Sequence, residues 1–161
     1  MAIGSDVTPP WQVGLWVEVT DEARGELILK LGTGRFDCIL VPDLGNFGER
    51  SRHPGPAHTL DRWIAELERL PVGRGPAMLP FNFSDQCTGW LRVTPTHEGL
   101  VDVQAGWSSL GQYDFDASEF LTAGRFLPDF RPVRNARIER PLVDVIAAVT
   151  ACRDELVRPS R

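Results

Sequence analysis

The chain has 161 residues, 42% hydrophobic and 24% charged, which is the composition of one globular domain and excludes a fibrous or wholly disordered chain. Its net charge is −5 and Lys30 is its only lysine, which argues against broad affinity for nucleic acid, because phosphate binding comes from neutralising cations. The three cysteines, Cys38, Cys87 and Cys152, match no zinc-ligand spacing, and no apolar run reaches the roughly 18 residues of a membrane span.

Residues 1–11 are polar and Pro-bearing and are expected to be flexible. They hold no basic region followed by an apolar run, so no signal peptide is expected, and the odd set of thiols suits a cytoplasmic protein. Three strands then follow closely. Over 12–20, Val13, Leu15, Val17 and Val19 alternate with Trp16 and Glu18. Over 26–31, Leu27, Leu29 and Leu31 share a face, and 36–41 is nearly continuous in apolar residues. The short connectors predict an antiparallel meander.

Residues 42–57 form a long loop rich in Gly and Pro, of the kind that is either functional or mobile. A helix is predicted over 59–70, where Leu60, Trp63, Ile64, Leu67 and Leu70 make one stripe, with Thr59 as its cap. Strands are predicted again over 77–83, 89–94, 100–107 and 112–115. Asp116 should cap a short helix, with Glu119 in the capping-box position and Phe120, Leu121 and Phe126 packing it down. Residues 124–137 read as an irregular strap. A C-terminal helix over 141–157 opens at Pro141 and buries Leu142, Val145, Ile146, Val149, Cys152 and Leu156. The expectation is a single α+β domain: an antiparallel meander sheet of about seven strands packed against the amphipathic 59–70 helix and the 141–157 helix.

No catalytic constellation stands out. There is no GxSxG, HExxH, P-loop or dinucleotide fingerprint. Asp43, His53 and His58 gather in and beside the long loop, where a small-ligand or enzymatic site is conceivable, but two loop histidines five apart have no fixed geometry. His97 falls in a hairpin turn. Asp102, Asp114 and Asp116 lie on a wet strand face or at a cap, where Asp is common without catalysis. No metal and no cofactor is expected.

Charge is more telling. Residues 1–124 carry 17 acids against 9 bases, and residues 125–161 carry 5 acids against 8 bases. The arginines of the strap, Arg125, Arg131, Arg134, Arg137 and Arg140, are interleaved with Phe126 and Phe130; they either staple the strap to the acidic body or bind an anion. Five tryptophans are many for this length. Trp63 and Trp107 fall on core faces. Trp16 and Trp90 fall on the opposite face, where they are either covered by the last helix or anchor a binding surface together with Arg92, Asp102, Asp114, Arg131 and Arg134.

The stretch 58–123 runs from Leu60, Asp61, Arg62, Trp63 and Ile64 through Gly89 to Val93 and Gly99 to Val103, and closes on Tyr113, Asp114, Phe115 and Asp116. In this order of elements it resembles the WapI-type bacterial immunity proteins. The resemblance implies a non-enzymatic partner binder that neutralises a nuclease-type toxin, its acidic body steered to a basic cleft. The expected partner is therefore another protein, with neither nucleic acid nor membrane as a target. The alternatives are a small-ligand binder or enzyme using the 42–58 loop, and a regulatory or structural protein using the basic strap.

Overall fold

In the computed structural model the described residues are 10–21, 26–40, 56–70, 75–114 and 127–157. The expected flexible residues before 10, most of the 42–57 loop with Asp43 and His53, and the Asp116 helix with Glu119, Phe120, Leu121 and Phe126 lie outside them. A short helix α1 (Pro10–Val13) leads into strands β1 (Leu15–Asp21), β2 (Glu26–Leu31) and β3 (Gly34–Cys38). Helix α2 (Pro56–Arg69) is followed by β4 (Ala77–Phe83), β5 (Thr88–Pro95), β6 (Leu100–Ser108) and β7 (Arg131–Pro141), and α3 (Leu142–Val157) ends the order. The class is α+β with antiparallel pairing. Among the described residues the seven strands divide into a three-stranded sheet, β1-β2-β3, and a four-stranded sheet, β4-β5-β6-β7.

Three sequence expectations are corrected in detail. Of the predicted 112–115 strand, the described part Gln112–Asp114 is a 3₁₀ turn. Gly111 lies so close to the Asp85 carbonyl that an added Cβ would sit 1.8 Å from its oxygen, and the Gln112 N–H donates to the Ser84 carbonyl at 2.8 Å. That approach turns the chain away from the sheet. The strap is also ordered differently, since 131–141 is the fourth strand of the second sheet. Finally, α2 begins at Pro56, which suits a first helical position, so Thr59 is no cap. Its hydroxyl instead donates to the Leu40 carbonyl at 2.6 Å and ties α2 to the chain leaving β3.

One apolar core serves both sheets. The β1–β3 face carrying Leu15, Val17, Leu29 and Leu31 and the β4–β6 face carrying Leu79, Leu91, Val93, Val103 and Ala105 share it with Leu60, Trp63 and Leu67 of α2 and Val145, Ala148 and Val149 of α3. The sheets join at Ile39, whose N–H donates to the Phe81 carbonyl at 3.0 Å and whose carbonyl accepts from the Phe83 N–H at 3.1 Å. Asn82 Nδ2 donates to the Asp37 carbonyl at 3.0 Å and completes the seam. Phe36, Phe81 and Trp107 stack there at centroid distances of 5.3 to 6.4 Å. Trp63 is fully buried, with Nε1 donating to the Pro80 carbonyl at 2.9 Å.

The outer edge of β1 is covered by α3, where the Val17 N–H donates to Cys152 Sγ at 3.2 Å. Arg153 of α3 pairs with Asp61 of α2 at 2.7 Å. Among the described residues no helix is long and apolar enough to cross a membrane.

Burial pushes the Cys38 thiol up to about 12, with Cys152 and Asp37 adding to the rise, and pushes Cys152 up to about 11. Because the folded values lie above the ordinary 9.0, the stability held in these thiols is complete below pH 9.0 and is lost as pH rises through about 11 to 12. Few other groups titrate there, since Lys30 is the only lysine and Tyr113 the only tyrosine. Urea unfolding should therefore show a falling midpoint between pH 8 and pH 11, and Cys38→Ala should flatten that fall while lowering stability at every pH. In native thiol labelling, half-buried Cys87 should react well before Cys38 and Cys152.

Candidate functional site

The second sheet has one face turned into the core and another turned away from it. Met78, Arg92, Gln104 and Arg137 are successive cross-strand partners, so they form one row on the outward face. The next row pairs Thr94 with Asp102 and Asp102 with Glu139. Arg137 Nε donates to Asp102 Oδ1 across the two rows, and that bond is the main reason the guanidinium is held above its ordinary range.

β7 does not pair evenly with β6. Gln104 lies opposite Arg137 and Gly106 opposite Pro132, so residues 133–136 of β7 face Ala105 alone. This is an enlarged bulge, and Asn135 takes the left-handed conformation at φ 69° to close it. The ladder bonds lost there are replaced by one side chain. Gln104 Nε2 donates to the carbonyls of Ala105 at 2.8 Å, Val133 at 2.9 Å and Ala136 at 3.2 Å, sharing its two hydrogens among three acceptors. From the first sheet, Thr33 Oγ1 donates to the Asn135 carbonyl at 3.0 Å. The bulge thus rests on a buried amide below and the β2–β3 turn beside it.

Phe130 holds the neighbouring part of the face. A Cβ on Gly106 would lie 2.5 Å from its ring, so only glycine lets the ring settle there. Arg92 lies over that ring, 4.5 Å from the centroid. Asp129, just before it, accepts from Ser108 Oγ at 2.8 Å and from the Ser109 N–H at 3.0 Å. These bonds, the backbone one first, hold its carboxyl below the ordinary range, and Arg131 stands 3.6 Å away. An open groove of about 920 Å³ runs along the bulge, lined among others by Thr33, Gln104, Val133, Arg134, Asn135 and Arg137.

The predicted site residues divide sharply. Arg131 and Arg134 lie on β7, Asp102 lies beside it on β6, and Arg92 lies one strand further, on β5. Trp90 is corrected as a surface anchor: it is 0% exposed, and its Nε1 donates to Thr88 Oγ1 at 2.7 Å. The row that carries it is not wet at that end, because β4 is buried on both faces. Trp16 is half-buried on the outward face of the first sheet, in register with Lys30, and Lys30 pairs with Glu18 at 2.7 Å. Asp114 accepts from the Gly111 N–H at 2.8 Å and belongs to the 3₁₀ turn, away from β7. His58 is exposed in the first turn of α2, and Asp61, its expected neighbour, is engaged by Arg153. His97 sits in the β5–β6 turn as expected.

Among the described residues no cluster of His, Cys, Asp or Glu could hold a metal ion, and no buried side-chain nitrogen or oxygen lacks a partner. Ser108, the one serine in a buried polar setting beside a carboxylate, uses its hydroxyl to hold Asp129 and accept the Leu110 N–H at 3.1 Å. Gln104 and Gly106 are the residues that sequence reasoning missed. Both looked like ordinary members of an alternating strand. Only a tertiary partner, the bulge for one and Phe130 for the other, reveals what they do.

Gln104→Leu should strand the Val133 and Ala136 carbonyls and cost roughly 1–3 kcal/mol, read as a lowered urea midpoint together with faster amide exchange over 133–136. Gly106→Ala should displace Phe130 and free Arg92 from its ring, which a melting curve and the nuclear magnetic resonance of the Phe130 ring protons would report.

No protein family, no curated protein and no solved structure matches this chain.

Proposed function

We propose that the chain is a non-enzymatic protein-binding module that uses the β7 face as its contact surface. The observation that carries this reading is Arg134. It stands exposed on a bulge that Gln104 and Thr33 hold in place, and it makes no ion pair among the described residues. A charge kept unpaired on a braced backbone suits recognition of a partner. The candidate acids and serines of the described residues, by contrast, are engaged in holding backbone or pairing with arginine, as Asp102, Asp114 and Ser108 do. An immunity protein that neutralises a nuclease-type toxin is the specific form of the reading. The net charge of −5 supports it through long-range steering toward a partner of net positive charge, with the β7 arginines making the local contact, and three free thiols suit a cytoplasmic setting.

The test is recovery of a stable partner on the tagged full chain from its native host, followed by charge reversal. Arg131→Glu with Arg134→Glu should weaken that association at least tenfold and leave the melting temperature nearly unchanged, because both residues are exposed. Failure to recover a partner, or undiminished capture by the reversed variant, would overturn the reading.

A further inference from the structure

We infer that the β7 face takes an extended acidic segment of its partner, its carboxylates received by Arg92 and Arg134. This rests on the protein-binding reading above and names the chemistry of what is bound.

Among the described arginines on or beside β7, Arg92 and Arg134 are in no ion pair, and their guanidinium groups make no hydrogen bond. Arg137 is tied to Asp102 and Arg131 stands against Asp129. Arg92 and Arg134 have no carboxylate among the described residues. Arg92 is half-buried with its guanidinium carbon over the Phe130 ring, a contact that uses the ring face and none of its N–H donors. Arg134 rises from the bulge.

Gln104 stands between the two: it lines the same groove as Arg134. It is the cross-strand neighbour of Arg92, and its amide reaches the bulge carbonyls on the side of the sheet that Arg92 occupies. Arg92 on β5 and the bulge on β7 are therefore two strand spacings apart, about 10 Å. In an extended chain, residues two and three apart are separated by about 7 and 10 Å. Two acids at that spacing can reach one arginine each. The open groove beside the bulge, lined by Arg134, Gln104 and Arg137 with Glu139 at its margin, leaves room for the part of the segment at Arg134, and Arg92 lies beyond its lining on β5. Charge complementarity gives the sign: residues 125–161 hold 8 bases against 5 acids in a chain that is acidic elsewhere.

The experiment uses the full chain and a fluorescein-labelled octaglutamate peptide, followed by anisotropy at low ionic strength, with an uncharged Gly/Ser octapeptide and a single-stranded DNA of equal charge as comparisons. Saturable binding of the acidic peptide is expected, weakened roughly tenfold by Arg92→Gln and by Arg134→Gln, the size of one lost charge-assisted hydrogen bond. Arg35→Gln, an exposed arginine on the first sheet, should leave it unchanged. Melting curves of each variant separate lost binding from lost folding, and Arg134, which is exposed and in no ion pair among the described residues, keeps the test decisive if Arg92→Gln is unstable. Absence of saturable binding, an equal loss in Arg35→Gln, or tighter binding of the DNA would overturn the inference. A partner captured by the wild-type chain and by Arg92→Gln/Arg134→Gln alike would sink the inference and leave the protein-binding reading standing, whereas failure to recover any partner sinks that reading itself.

Discussion

Ile39 lies between two strands that belong to different sheets. Its N–H and carbonyl bond to Phe81 and Phe83, and the Asn82 side chain reaches across to the Asp37 carbonyl. Without that seam a three-stranded and a four-stranded sheet would each have a bare edge and half a core. With it, Phe36 meets Phe81 and Trp107, and one set of aliphatic side chains is buried from both sides. The tie from Thr59 to Leu40 and the bond from Trp63 to Pro80 place α2 against the same junction. α3 then covers the one remaining β1 edge, and its Cys152 accepts the Val17 N–H that a neighbouring strand would otherwise take.

At the other margin of the second sheet the chain accepts a defect and repairs it with a side chain. A bulge that leaves 133–136 opposite a single residue loses ladder bonds, and a buried carbonyl without a partner is costly. Gln104 supplies the donor. The outcome is a projecting piece of backbone that is nevertheless fixed, with Arg134 and Asn135 at its crest. Bulges commonly re-aim side chains next to functional surfaces, and here the re-aimed side chain is a cation. Phe130 does the parallel task for Arg92, which meets an aromatic face and pairs with no carboxylate among the described residues.

The polar groups of the same sheet end are engaged in a different manner. Asp129 clamps Ser108 and Ser109, Gln112 Nε2 donates to Asp85 at 2.5 Å, and Thr88 links Trp90 to the Leu110 carbonyl. A serine beside a carboxylate, as Ser108 is beside Asp129 once the chain is folded, is a pairing that catalytic sites also use. In the folded chain its hydroxyl is already committed in both directions, as donor to Asp129 and acceptor from Leu110. The contrast between these saturated groups and the two uncommitted arginines is what separates scaffold from surface.

By itself the sequence determined the α+β class, the antiparallel order within β1–β3 and within β4–β6, the two long helices and the buried stripe of each, because those follow from local periodicity and short connectors, whereas the one expected sheet is two, joined at Ile39 by a parallel bridge. It also placed Trp63 in the core and His97 in a turn. Three matters were decided only by tertiary structure. The strap became a strand because its bulge resets the alternation: Ala136 and Ile138 point inward, but no regular pattern connects them to Val133, so a period-two reading fails. Residues 112–114 became a turn because Gly111 presses on Asp85, a contact between segments far apart in sequence. Trp90 became buried because its row runs onto β4, which is buried on both faces, and strand pairing set β5 and β7 two spacings apart across β6. Periodicity states which residues share a face of one element; only the packing of elements states whether that face meets water and which charges it leaves unpaired.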